Sequence, residues 1–215
     1  MNVNRLLPAV VSASVLFVAC LFVVPALSQD KLGHNHNDGH DPKQATAKIE
    51  AALAELPKTD RSQADAQRYC PVMDTVRLGA MGTPVKAMIE GKPVFLCCEG
   101  CQDEAAEKGK ETLAKAQKLK RATASLAKLP AADQPLAESQ LFCAVAEGSR
   151  LGSMGTPVKL MLEGKPVFLC CKGCEASAHA HVQETLAKVE EIKKANAKAA
   201  HHDEDKQGQR PVLKK

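Results

Sequence analysis

Two clusters of cysteines carry the chemistry that this sequence offers. Residues 78–101 reappear as residues 151–174, displaced by 73 positions, and only four of the 24 positions differ. An upstream cysteine keeps the same offset, so each copy is a four-cysteine unit with the spacing Cys-x26-Cys-Cys-x2-Cys. The repetition indicates two equivalent thiol sites, formed from Cys70, Cys97, Cys98, Cys101, Cys143, Cys170, Cys171 and Cys174.

The spacing favours metal binding through three thiolates per copy. Cys97 and Cys101 lie where a strand is expected to give way to a helix, and a helix start stabilises thiolates. Cys70 can close the site across the intervening hairpin. The matching set in the second copy is Cys143, Cys170 and Cys174.

Cys98 and Cys171 leave an alternative open, because adjacent residues of a strand point to opposite faces. If the strand has already ended, each joins its site as a fourth thiolate. If it has not, each is a small buried hydrophobe or a spare thiol. Three ligands are favoured.

The type of ligand predicts the type of ion. Soft, low-coordinate thiolate sites suit Cu(I), with Zn(II) as the common competitor. Met81 and Met154 could add a thioether, although packing in a small core is favoured for them. His179 and His181 have no histidine counterparts in the first copy and are expected at the surface.

The elements that position the cysteines follow from local patterns. Apolar and polar residues alternate over 85–89, Gly91-Lys92 is turn-like and residues 94–97 are β-formers, so a β-hairpin is predicted. Met88 and Met161 are expected to pack within the hairpins. Asp60 and Asp133 are expected to cap short helices before the cysteines, and a longer helix follows Cys101.

These residues resemble the TRASH and YHS-type heavy-metal-binding domains. The resemblance rests on Cys70-Pro71-Val72, the stretch 91–98 and Gly100-Cys101, with a second match over 142–178. It implies a small ββα fold, similar to a zinc ribbon or treble clef, and a role in heavy-metal sensing, trafficking or resistance. It also implies metal ligands at Cys70, Cys97 and Cys101 and at their copies.

The predicted architecture is therefore α+β, with two small ββα metal-binding units joined and flanked by Ala/Lys/Glu-rich helices. Aromatic residues make up only 3% of the 215 residues, which is too few for one large core. The expected division is a signal peptide (1–28), a His-rich segment (29–42), a first helical and cysteine repeat (43–110), a linker helix (111–129), a second repeat with a C-terminal helix (130–199) and a tail (200–215).

The N-terminus predicts export. Arg5 precedes a largely apolar run to Leu27, and cleavage is expected near Ser28-Gln29, which would place the protein in the periplasm or outside the cell. An uncleaved membrane anchor is the alternative. Histidines at 34, 36 and 40 and at 201–202 are expected to serve as auxiliary metal-capture sites.

Three functions compete at this stage. The first is a secreted protein that binds soft metal ions, with metal ions and a membrane metal transporter or efflux component as partners. The others are an exported thiol-disulfide protein and a structural protein stapled by disulfides, since eight cysteines remain once Cys20 leaves with the signal. No catalytic triad, P-loop or concentrated basic face is visible, so neither an enzyme nor a nucleic-acid binder is expected.

Overall fold

The computed structural model describes residues 42–201. The expected signal peptide and His-rich segment, together with the tail, lie outside the described residues except at residues 42, 200 and 201. None of the helices within residues 42–201 has the length and apolar character needed to cross a membrane.

Seven α-helices and four strands occur in the described residues, and the two repeats use the same order of elements. They are α1 (Pro42–Ala54), α2 (Lys58–Gln67), β1 (Val85–Ile89), β2 (Lys92–Leu96), α3 (Gln102–Glu107), α4 (Gly109–Leu126), α5 (Gln134–Gln140), β3 (Val158–Leu162), β4 (Lys165–Leu169), α6 (Glu175–Ala180) and α7 (Val182–His201). A one-turn 3-10 helix precedes α3 (Glu99–Cys101) and α6 (Lys172–Cys174). The prediction of a mixed α+β architecture is confirmed.

Each repeat contains one antiparallel hairpin, as predicted, and the two hairpins form separate two-stranded sheets. Ile89 pairs with Lys92, so only two residues make the turn. Both have positive φ angles, 48° at Glu90 and 76° at Gly91. Two successive positive φ angles define the type I′ turn, whose twist matches that of the paired strands. The second hairpin repeats this turn with φ angles of 48° and 75°.

The hairpin methionines do not pack inside, so that prediction is wrong. Met88 is 61% exposed and Met161 is 54% exposed. The predicted alternation is present, but the inward face of β1 is the one that carries Ile89, and the methionines occupy the opposite face. Only one face of this short two-stranded sheet is covered. An apolar side chain on the other face therefore stays exposed.

Asp60 and Asp133 contact the hairpins, and the expected capping bonds are absent. Helix α2 begins at Lys58, which places Asp60 inside its first turn, and Asp133 precedes α5 without a capping bond from its side chain. The carboxylate of Asp60 accepts a hydrogen bond from Lys86 at 2.7 Å, and that of Asp133 accepts one from Lys159 at 2.6 Å. Each repeat therefore ties its first strand to the preceding helix by the same ion pair.

Helix α4 belongs to both repeats. Leu113 and Ala116 lie in the apolar core of the first repeat, and Leu126 lies in that of the second. Leu119, between them, forms a third cluster with Tyr69 and Leu141. A helix that contributes to all three clusters fixes the second repeat against the first.

The contact between the repeats is centred on Arg150. Its side chain is 4% exposed, and its guanidinium lies 4.1 Å from the centre of the Tyr69 ring. Nη1 donates a hydrogen bond to the Asp74 carbonyl at 2.7 Å. Arg68 also reaches across to Glu138, with a nitrogen–oxygen distance of 2.6 Å. Both repeats lie in one compact unit.

Candidate metal centres

A buried glutamine holds the strand that leads to Cys97. Gln67 is fully buried, and its amide donates hydrogen bonds to the carbonyls of Tyr69 and Phe95 while its side-chain oxygen accepts from the Phe95 N–H at 3.1 Å. Buried polar groups require partners of this kind. Because Phe95 is only two residues before Cys97, the contact fixes where that cysteine leaves the sheet.

The second repeat contains the same arrangement. Gln140 donates to the carbonyls of Phe142 at 2.9 Å and Phe168 at 2.7 Å, and it accepts from the Phe168 N–H at 3.0 Å. Cys170 then follows Phe168 with the spacing that Cys97 has from Phe95. The two glutamines are therefore equivalent positioning residues.

Cys70 lies at the mouth of a small loop between α2 and β1. Its N–H donates to the carbonyl of Val76 at 3.1 Å, and the Val76 N–H donates to the carbonyl of Met73 at 2.8 Å. In the second repeat the Cys143 N–H donates to the Ser149 carbonyl at 2.9 Å. The loop turns the first cysteine of each site toward the end of the hairpin.

Cys101 completes the first site from the 3-10 helix that follows the hairpin. Its N–H donates to the carbonyl of Cys98 at 3.3 Å, and the residue directly precedes α3. Cys174 makes the same bond with Cys171 at 3.2 Å and precedes α6. Hairpin, short turn and helix thus bring two cysteines together, and the upstream loop adds the third.

The sulfur atoms of each triad converge on one point. Within each group the Sγ atoms lie no more than 4.8 Å apart, and all six residues are buried: Cys70, Cys97 and Cys101, and Cys143, Cys170 and Cys174. The separation is 3.6 Å for the Cys97–Cys101 pair and 3.7 Å for its counterpart. Sulfurs that share one ion at about 2.3 Å lie about 3.8–4.0 Å apart. Each triad could therefore hold a metal ion.

Cys98 and Cys171 lie beside the triads and outside them. Both are half-buried. Cys98 Sγ is 3.9 Å from Cys101 Sγ, whereas Cys171 Sγ is 4.0 Å from Cys170 Sγ. Strand β2 ends at Leu96, yet Cys98 keeps an extended backbone with φ −159° and ψ 170°. The fourth thiol of each repeat therefore lies at the edge of the buried site and packs partly against the same core.

Hydrogen bonding within the first triad favours one thiolate and two thiols. A hydrogen bond from the Cys97 thiol lowers the pKa of Cys70 to about 6, with backbone N–H groups of the loop contributing and burial opposing. The same hydrogen bond raises the pKa of Cys97, and burial adds to the effect. Burial also raises the pKa of Cys101 to about 12.

In the second triad, burial and backbone hydrogen bonds set the pKa values of the thiols. Burial, the largest influence, raises the pKa of Cys143, but backbone N–H groups led by that of Ala146 outweigh it and leave the pKa lowered. Burial raises the pKa of Cys170 and brings that of Cys174 to about 11. Cys143 is therefore the most acidic thiol of the second triad, as Cys70 is of the first.

One sulfur at the first site was not predicted from the sequence. Met73 Sδ lies 4.0 Å from Cys97 Sγ. The spacing Cys70-x2-Met73 was a possible signal, but nothing in it showed that the loop would turn Met73 back toward the site. Met154, one of the two methionines considered, is 63% exposed, and Met81 packs partly buried against the first core. His179 and His181 are exposed, as predicted.

No family model, curated protein or solved structure matches this chain.

Proposed function

We propose that this protein binds soft metal ions, one in each of its two cysteine triads, and serves in their trafficking, buffering or detoxification. The observation that carries the proposal is the convergence of three buried sulfurs within 4.8 Å, repeated in both copies. Three buried thiols that converge on one point form the ligand set that a single metal ion requires. Because every ligand is sulfur, Cu(I) is the favoured ion and Zn(II) the competitor.

The triad geometry favours this function over a disulfide-stapled one. A disulfide joins sulfurs in pairs, whereas each triad brings three buried sulfurs within 4.8 Å of one another, a set that one ion can join. The eight cysteines of the described residues are free. An exported thiol-disulfide protein is the alternative, with Cys98 and Cys101, or Cys97 and Cys98, as its reactive pair.

The type of domain, the location and the partners that we propose are supported by the sequence. A hairpin followed by a helix, with cysteines at the junction, supports a zinc-ribbon-like or treble-clef-like unit of the TRASH and YHS type. The N-terminal signal supports location in the periplasm or outside the cell, and a transporter or efflux component of the membrane would then supply or receive the ion. A binding role without catalysis fits the buried sites.

Titration of the reduced protein under anaerobic conditions tests the proposal. We expect the wild type to bind two Cu(I) or two Zn(II) ions. Cys97→Ser and Cys170→Ser should each bind one, because the two ligand sets are separate. Cys98→Ser and Cys171→Ser are the matched controls, and each should keep two ions if three thiolates suffice.

The titration also distinguishes the alternatives. No bound ion in the reduced wild type would exclude the metal function and leave the disulfide interpretations. Equal losses in Cys97→Ser and Cys98→Ser would make Cys98 a fourth ligand. A count of free thiols in protein purified from its native compartment, before and after metal removal, shows whether the sulfurs are oxidised there.

A further inference from the structure

The two sites differ in one sulfur atom that only the first repeat contains. Met73 is partly buried against the first core, with Sδ 4.0 Å from Cys97 Sγ. The equivalent residue in the second repeat is Ala146, which has no donor atom in its side chain. There the Ala146 N–H donates to Cys143 Sγ at 3.4 Å. A thioether is therefore present beside one triad and absent beside the other.

The distance between Met73 and Cys97 fits that of two ligands of one ion. Sulfurs that share an ion at about 2.3 Å lie about 3.8–4.0 Å apart, which matches the 4.0 Å between Met73 Sδ and Cys97 Sγ. The backbone holds Met73 there, because its carbonyl accepts from Val76 at 2.8 Å and the Cys70 N–H donates back to Val76 at 3.1 Å. The thioether thus reaches the site from the loop that also positions Cys70.

We propose that Met73 is a thioether ligand of the first site and makes that site the stronger and more selective of the two for Cu(I). This inference rests on the proposed metal function. A thioether is neutral, so it adds a donor without adding a negative charge to three buried thiolates. Thioethers belong to the ligands that select Cu(I), whereas Zn(II) sites are built from cysteine, histidine and carboxylate.

Exchanging the two residues tests the assignment in the full reduced chain. Cu(I) affinity is measured by competition with a chromophoric chelator, and Zn(II) affinity is measured separately. We expect Met73→Ala to weaken the tighter Cu(I) site by about tenfold and to change Zn(II) affinity by less than about twofold. Ala146→Met should strengthen the weaker Cu(I) site. Met88→Ala, at a methionine that is 61% exposed, is the control and should change neither.

Selenium X-ray absorption gives a direct readout of the contact. Protein labelled with selenomethionine and loaded with Cu(I) should show copper next to selenium in the wild type and in Met88→Ala, and none in Met73→Ala. Two bound ions with no selenium–copper contact and an unchanged Cu(I) affinity in Met73→Ala would overturn the ligand role of Met73 alone. A reduced wild type that binds no ion would overturn the metal function as well.

Discussion

Around Cys70 and around Cys143 the chain makes the same loop with different side chains. Both loops close through a hydrogen bond from the cysteine N–H, to Val76 in the first repeat and to Ser149 in the second. In both loops the N–H of the third residue after the cysteine bonds to its sulfur, that of Met73 in the first and that of Ala146 in the second, and the first loop also brings the Met73 thioether to the site. Backbone geometry was therefore retained after duplication while the immediate surroundings of the sulfurs diverged.

The solvent side of the two sites differs in charge. Glu99 follows the half-buried Cys98, whereas Lys172 follows the half-buried Cys171, and both charged residues are exposed. A carboxylate disfavours the approach of an anionic metal carrier, and an ammonium favours it. The two repeats thus share one thiol framework and differ in the charge beside it.

The pH dependence of metal affinity gives the largest expected effect. Metal ligands must be thiolates, so protonated thiols compete with the ion. Near neutral pH, Cys70, with a pKa of about 6, is largely ionised, while Cys97 has a raised pKa and Cys101 one of about 12. Two protons must leave per ion, and Cu(I) affinity should rise about hundredfold per pH unit between pH 7 and 9.

Metal affinity at the second site should also rise with pH, because protonated thiols compete with the ion there too. Cys143 has a lowered pKa there, while that of Cys170 is raised and that of Cys174 is about 11. Chelator competition at several pH values measures both slopes. Below pH 6 the slope at the first site should steepen toward three protons, as Cys70 also becomes protonated. Affinities that do not change between pH 7 and 9 would contradict the assignment of two thiols per site.

The buried glutamines should matter equally in the two repeats. Gln67→Leu removes three hydrogen bonds and leaves the N–H and carbonyl of Phe95 buried without partners. We expect the free energy of unfolding to fall by about 3 kcal/mol. Gln140→Leu should cost the same, because it makes the same three bonds. Urea unfolding of the reduced, metal-free protein measures both.

An exposed glutamine on α4 provides the control for these variants. Gln117→Leu changes the same side chain without burial and should alter stability by less than about 0.5 kcal/mol. If Gln67→Leu were as stable as this control, the glutamine would not hold the hairpin. Unequal losses for Gln67→Leu and Gln140→Leu would show that the two hairpins depend on their helices to different degrees.

Substitution of the equivalent arginines, Arg77 and Arg150, should change stability by different amounts in the two repeats. Arg150 is 4% exposed, lies over Tyr69 and bonds to the Asp74 carbonyl, whereas its counterpart Arg77 is only half-buried. Arg150→Met should cost about 2 kcal/mol of unfolding free energy, from the lost cation–π contact and hydrogen bond. Arg77→Met should cost less than about 1 kcal/mol. Thermal unfolding of both variants checks this difference, and equal losses would contradict it.

The sequence was most informative where a pattern repeats or where chemistry limits the choice. The 73-residue offset and the period-two alternation predicted the hairpins, and the cysteine spacing predicted the two triads, which the structure brings together. Short-range patterns of this kind depend on local backbone geometry, and that geometry is the same in both copies.

The features that were not predicted from the sequence depend on contacts between residues far apart in the chain. Gln67 meets Phe95 across 28 positions, and Arg150 meets Asp74 across 76. Met73 was missed because its loop is irregular and only its tertiary closure turns the side chain toward Cys97. Met88 was expected to pack because its side chain is apolar, although the alternation groups it with Lys86 on the face of β1 that is exposed.

The smallest expected effect concerns the hairpin turns, where the two repeats are most alike. Glu90 and Glu163 both have φ angles of 48°, in the left-handed region, where Cβ comes close to the following carbonyl oxygen. Asn tolerates that region well and is the preferred first residue of a type I′ turn before Gly. Glu90→Asn and Glu163→Asn should therefore each stabilise the protein by about 0.5 kcal/mol, and the double variant should add the two gains because the turns are in separate sheets. Lys92→Asn, at the exposed first residue of β2, is the matched control and should give no gain. Urea unfolding of the reduced protein measures each change, and a loss of stability in both turn variants would show that the glutamates make contacts worth more than the strain.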